Sequence, residues 1–149
     1  MSDDSLLKDE MALRRLAESY ARAMDRGEPE VLERIFTEDA AIESIFRAQR
    51  GIAEIRTIPD MLKKMFASTL HAVHNQTVTI TGDTAEGETY CIAYQLKHPK
   101  DGKHMRLDYG IKYQDSFRRV NGAWRFSRRY LQIDWTQLTE VQVPAVKTT

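Results

Sequence analysis

Arg118-Arg119-Val120-Asn121-Gly122-Ala123-Trp124-Arg125-Phe126 is the stretch that decides the fold. Asn-Gly suits a two-residue hairpin turn because both of its central positions need positive φ. Leu107 to Val120 before it and Trp124 to Trp135 after it are rich in aromatic and β-branched residues. They therefore read as two long strands, antiparallel because the link is so short. Moving outward, Tyr90 to Leu96 reads as another strand, stopped by Pro99-Lys100-Asp101-Gly102. Thr77-Val78-Thr79-Ile80-Thr81 is one more, ending at Gly82-Asp83. The second half of the chain is thus a four-stranded antiparallel meander.

The first half has a different period. Leu6, Leu13, Leu16, Tyr20, Ala23 and Met24 recur at helical spacing. Asp25-Arg26-Gly27 ends this helix, with glycine able to take the left-handed cap conformation. A second helix is predicted from about Pro29 to Phe36, a short strand over Ala40 to Phe46, and a third helical region after Gly51 that Pro59 divides. The layout is α+β: three N-terminal helices with a curved antiparallel sheet wrapped around them. The space between helix and twisted sheet is a natural cavity.

At 149 residues the chain reads as one domain, with a core at about 8–136 and a tail at about 141–149. Its 22 basic and 22 acidic residues balance, so no overall field favours nucleic acid or an anionic membrane. No apolar run approaches the ~20 residues needed to span a bilayer. The acidic start lacks the features of a signal peptide, and the lone Cys91 cannot form an intramolecular disulfide. The expectation is a cytoplasmic protein with neither nucleic-acid nor membrane partners.

Thr69-Leu70-His71-Ala72-Val73-His74-Asn75 is the stretch where chemistry is expected. Strand alternation puts His71, Val73 and Asn75 on one face and His74 on the other. Asp25 stands at a helix C-terminus, where a carboxylate meets the negative end of the macrodipole. Such rule-breaking positions point to function, and an aspartate beside a histidine can hold a general base near neutral pH. The bland alternative is a solvated turn aspartate and a hydrogen-bonded core histidine. The spacing of His71 and His74 points them apart, without a third ligand nearby, so no metal site is read here. A phosphate-binding glycine loop is also lacking, so no cofactor is expected. Alternation gives Arg125, Ser127, Arg129, Leu131 and Ile133 one face of the last strand. It gives Trp124, Phe126 and Tyr130 the outer one, which predicts a homo-oligomer, dimer or trimer.

Several stretches resemble SnoaL-like proteins of the nuclear transport factor 2-like superfamily. They are Tyr20 to Asp25, Phe36-Thr37-Glu38-Asp39-Ala40, His71 with Asn75, Gly82 to Ala85, and Asn121 to Arg129. The resemblance spans roughly residues 8 to 136 and implies a cone-shaped α+β fold. In the lyases of this group, hexachlorocyclohexane dehydrochlorinase, scytalone dehydratase and bile-acid 7α-dehydratase, an aspartate orients a histidine that removes a substrate proton. Those roles map onto Asp25 and His71. Tyr20 matches a tyrosine of the bile-acid enzyme, and Arg129 a pocket arginine of the dehydrochlorinase. The chain departs at Ile42, where relatives place an aromatic residue, and at Ala93, where the bile-acid enzyme has an aspartate.

The sequence therefore predicts a cofactor-independent lyase or isomerase acting on a small apolar, cyclic or aromatic metabolite. His71, Asp25, Tyr20 and Arg129 are the catalytic candidates. Ile42, Met65, Phe66, Asn75, Cys91, Ala93, Tyr109 and Tyr113 are the substrate-facing ones. The rival readings are a non-catalytic ring-hydroxylating dioxygenase β-subunit and a small-molecule binding protein.

Overall fold

The structure, a computed structural model, describes residues 2–145. Helix α1 (Asp3–Arg26) is capped at its start by the Ser2 hydroxyl, which accepts from the Ser5 N–H. Gly27 ends it at φ 71°, the left-handed conformation that glycine takes without steric cost. After α2 (Pro29–Ile35) come strands β1 (Phe36–Ser44) and β2 (Ala48–Arg50). The third helical region is split into α3 (Ile52–Ile55) and α4 (Ile58–Met65), with Pro59 in the first turn of α4. Four long strands follow: β3 (Phe66–Thr81), β4 (Thr84–Lys97), β5 (His104–Val120) and β6 (Ala123–Val141).

These strands form one open six-stranded sheet in the order β2-β1-β6-β5-β4-β3. The meander is as expected, but the sheet as a whole is mixed, because β1 runs parallel to β6. The three-residue β2 was not read from the sequence. β3 begins at Phe66, so His71 sits well inside the strand. The expected C-terminal tail starts where β6 ends, and residues 146–149 of it lie outside the described residues.

Helix α1 packs chiefly on β3, an edge of the sheet. Its inward stripe is Leu13, Leu16, Ala17, Tyr20 and Met24. Asp9 ties the helix to the far hairpin, accepting from Arg119 Nη1 and Nη2 at 3.1 and 3.0 Å and from Trp124 Nε1 at 2.9 Å. Phe36, Phe117 and Phe126 stack in the core, with ring centroids 5.0 Å apart in each adjacent pair.

Bulges decide which residues face this core. Between β5 and β6 the pairing steps from Phe117–Phe126 to Ser116–Arg128, so Ser127 is an extra residue. Trp124 and Phe126 are consequently buried on the same side as Arg129. This corrects the alternation read from the sequence, which sent those two aromatics outward and Arg125 inward. Arg125 instead donates to the carbonyls of Glu33 and Phe36. A second bulge lies between Val73 and Gln76 of β3. It turns Asn75 out to solvent and brings Gln76 inward, donating to the Leu13 carbonyl and the Thr89 hydroxyl.

Candidate active site

Asp25 lies in the last turn of α1, against the free edge of β3. Its Oδ2 accepts from the backbone N–H of His71 at 2.9 Å. Its Oδ1 accepts from the Thr69 hydroxyl at 2.9 Å and faces His71 Nδ1 at 2.6 Å. An edge strand exposes backbone groups that lack a neighbour, and α1 supplies their partners here. Arg14, about three turns upstream, likewise donates to the Val73 and His74 carbonyls. Three donors around one carboxylate offset its placement at the negative end of the helix dipole.

This arrangement fixes the ring of His71. Asp25 accepts the Nδ1 proton, which leaves the Nε2 lone pair as the basic position. Nε2 has no hydrogen-bond partner among the described residues. The His71 side chain is 8% exposed and that of Asp25 23%. A groove of about 420 Å³ follows the seam between α1 and β3, lined by Arg14, Glu18, Arg22, Asp25, His71 and Val73. A larger groove of about 530 Å³ lies elsewhere, by Leu70, Tyr94, Leu96 and Val143.

Tyr20 presents its ring edge-on to His71, with centroids 6.4 Å apart at 82°. The same ring meets Tyr113 at 5.8 Å and lies 4.4 Å from the Arg129 guanidinium carbon. Burial raises the Tyr20 phenol above its ordinary value, against an opposing pull from Arg129. It therefore stays a protonated donor.

Arg129 is fully buried and held by Asp115, with Nε–Oδ1 at 2.8 Å and Nη2–Oδ2 at 3.1 Å. Its guanidinium also lies 3.7 Å from the Tyr113 ring centroid. Burial opposes its charge, but Asp115 and the adjoining phenols outweigh it, and the net shift is upward. Asp115 accepts from the Thr89 hydroxyl, which in turn accepts from Gln76. One polar chain thus crosses β3, β4, β5 and β6 beneath the aromatic rings.

Among the expected substrate-facing residues, Ile42, Phe66, Cys91, Ala93 and Tyr113 are buried on the inner side. Ile42 is the register partner of Arg129. Ala93 stands between His71 and Tyr109 across three strands. Met65 is 51% exposed at the end of α4 and Asn75 is outside, so neither forms an inner wall. Burial pushes the Cys91 thiol up to about 11, with smaller downward pulls from Arg129 and the Tyr113 hydroxyl.

The sequence reading missed Phe46, whose ring leans on Tyr109 at 6.3 Å while 64% exposed. It also missed Thr69, Gln76 and Thr89. Thr69 could have been found, since it lies two residues before His71 on the same face of a strand. Gln76 could not, because only the bulge turns it inward. No group of three or more metal-ligating side chains is found among the described residues, and no helix among them is long and apolar enough to cross a membrane.

Comparison with known proteins agrees with this architecture. A protein of Novosphingobium aromaticivorans provisionally described as a scytalone dehydratase is 22% identical, with 97% of this chain and 95% of that one covered at a TM-score of 0.81. A second protein of that organism, provisionally described as an aromatic ring hydroxylase, is 26% identical, with 91% and 94% covered at 0.77. The type-3 hexachlorocyclohexane dehydrochlorinase of Novosphingobium barchaimii LL02 is 16% identical, with 97% and 100% covered at 0.80. The sequence profile of the SnoaL-like domain matches residues 5–130. The chain therefore belongs to the SnoaL-like domain family, and its fold is the nuclear transport factor 2-like, cystatin-like one.

Proposed function

We propose that this protein is a cofactor-independent lyase or isomerase that removes a carbon-bound proton from a small, largely apolar metabolite. The observation that carries this reading is the 2.6 Å pairing of Asp25 with His71 Nδ1, which reserves Nε2 for the substrate. Nε2 takes the proton, and Asp25 stabilises the imidazolium that forms. The electron pair left on carbon then expels a group from the adjacent carbon or, in an isomerase, shifts until carbon is reprotonated elsewhere. In this reading Tyr20 donates a hydrogen bond to the departing group. Arg129 supports it from behind, both of its contacts to Asp115 being already made. The shared fold of the dehydratase-like and dehydrochlorinase structures is consistent with this chemistry.

Cyclohexanone in deuterium oxide tests the proposal without knowledge of the natural substrate. The wild-type protein should speed loss of the α-proton NMR signals, and His71→Ala should remove the effect without changing the melting temperature. Exchange at the buffer rate with wild type would contradict it. The likeness to the ring-hydroxylase protein favours a second reading, a non-catalytic β-subunit. That reading predicts no exchange and stable co-purification with an iron-containing subunit.

The proposal extends to assembly. Leu70, Trp135 and Leu138 are large and exposed, and they replace the aromatics that turned out to be buried as the apolar surface for a dimer or trimer. Light scattering at micromolar concentration should show more than a monomer.

A further inference from the structure

Ile42, Ala93 and Tyr113 belong to the inner face that carries His71, yet they are 4, 1 and 2% exposed, and none of them borders either groove described above. A molecule therefore reaches that face only when a covering element moves aside. The β1–β2 hairpin is a cover with little to hold it. Strand β2 has three residues and stands at an edge of the sheet, paired only with β1. Ser44 is anchored by its pairing with Leu131 of β6, so the movable part is the tip, residues 45–47.

The turn is self-contained. The Ser44 N–H donates to the Arg47 carbonyl at 2.8 Å, and the Ser44 hydroxyl accepts from the N–H groups of Phe46 and Arg47 at 3.1 and 3.3 Å. These bonds keep the shape of the tip without tying it to the rest of the protein. Two of its side chains reach across. Arg47 Nη1 lies 3.1 Å from the Met61 sulfur of α4, a weak acceptor. The Phe46 ring leans on Tyr109, with centroids 6.3 Å apart. Tyr109 is in register with Ala93, and Ala93 with His71, so the Phe46 ring ends the row that starts at the histidine. Ile45 and Phe46 are nonetheless 70% and 64% exposed. Segments with few buried contacts open locally at low free energy, and the lids of binding sites are drawn from them.

We propose that Phe46 is the gate to the inner face: its ring on Tyr109 closes the face, and an outward swing of residues 45–47 admits a small apolar molecule beside Ala93 and His71. This deepens the function proposed above and rests on it for the role of His71. Phe46, Met61 and Tyr109 make the rim apolar. Closure over an apolar molecule buries more of the Phe46 ring than closure over an empty face, and that difference is what lets the ligand favour the closed state.

Cys91 reports the opening independently of catalysis. It is 2% exposed on the same inner face, two residues along β4 from Ala93, so iodoacetamide modifies it only when the structure opens. In the full chain at pH 8 the wild-type rate should not change with urea below the unfolding transition, the mark of local rather than global opening. Phe46→Ala should raise the rate roughly 3–10-fold, the worth of one aromatic pair, with the melting temperature unchanged. Ile45→Ala, at the same tip but outside the aromatic contact, should leave the rate as it is. An unchanged rate in Phe46→Ala, an equal rise in Ile45→Ala, or a wild-type rate that climbs with urea from the start would overturn the gate. Faster modification in Phe46→Ala alone, together with no exchange of cyclohexanone α-protons by wild type, would refute His71 as the base and leave the gate standing.

Discussion

Asp25 holds His71 at two points, its backbone N–H at 2.9 Å and its ring Nδ1 at 2.6 Å. A contact to the ring alone would leave the main chain of an edge strand free to shift. Gripping both fixes the direction of Nε2 relative to the sheet, and Thr69 completes the carboxylate's set of donors. Preorganisation of this kind is what the proposed role of His71 as a general base requires.

Replacing Asp25 by Asn keeps the shape and removes the charge that stabilises the imidazolium. The rate of cyclohexanone exchange is expected to fall about 10²-fold or more. Thr69→Val removes one donor of three and should cost far less. A rate for Asp25→Asn within twofold of wild type would show that the carboxylate does not assist His71.

The buried pair of Asp115 and Arg129 predicts a stability effect in place of a chemical one. Asp115→Asn leaves an uncompensated guanidinium in the core and should destabilise the fold by about 3–5 kcal/mol. Urea denaturation followed by circular dichroism measures this. A loss below about 1 kcal/mol would mean that Arg129 finds solvent or another partner.

Asp9 sets an acid limit. Hydrogen bonds from Arg119 and Trp124 hold its carboxyl below the ordinary 3.8. The folded state therefore binds the proton less readily than the unfolded chain. Its contribution is complete above pH 3.8 and is lost as pH falls through the lowered value. Asp9→Asn should be less stable at neutral pH and should lose less stability on acidification. Parallel pH profiles for the two proteins would contradict this.

Cys91 sets an alkaline one. Burial raises its thiol from 9.0 to about 11, so the folded state keeps the proton longer than the unfolded chain does. The associated stability is complete below pH 9 and is lost between about pH 9 and 11. At pH 8 a thiol-directed reagent should modify the native protein far more slowly than the urea-unfolded one. Equal rates would place the thiol at the surface.

The legibility of this sequence follows its physics. Asn121-Gly122, the β-branched runs and the helical stripe of α1 are local signals, and they located the meander and the first helix. Asp25 and His71 were readable because each breaks or uses a local rule. The inner faces of β3 and β6 were not, because bulges at single residues such as Ser127 reverse the alternation beyond them. Counting outward from the hairpin turn pairs Asp115 with Arg128, and only the bulge moves it onto Arg129. The parallel pairing of β1 with β6 was equally hidden, since it depends on chain segments far apart in sequence.

The proposed mechanism requires Asp25 to keep the proton of His71 on Nδ1 and to leave Nε2 free as a base. Long-range proton–nitrogen NMR of the histidine rings measures this tautomer directly. In neutral His71, Nδ1 should be protonated and Nε2 unprotonated, with Asp25→Asn weakening that preference. A neutral His71 that carries its proton on Nε2 would contradict it.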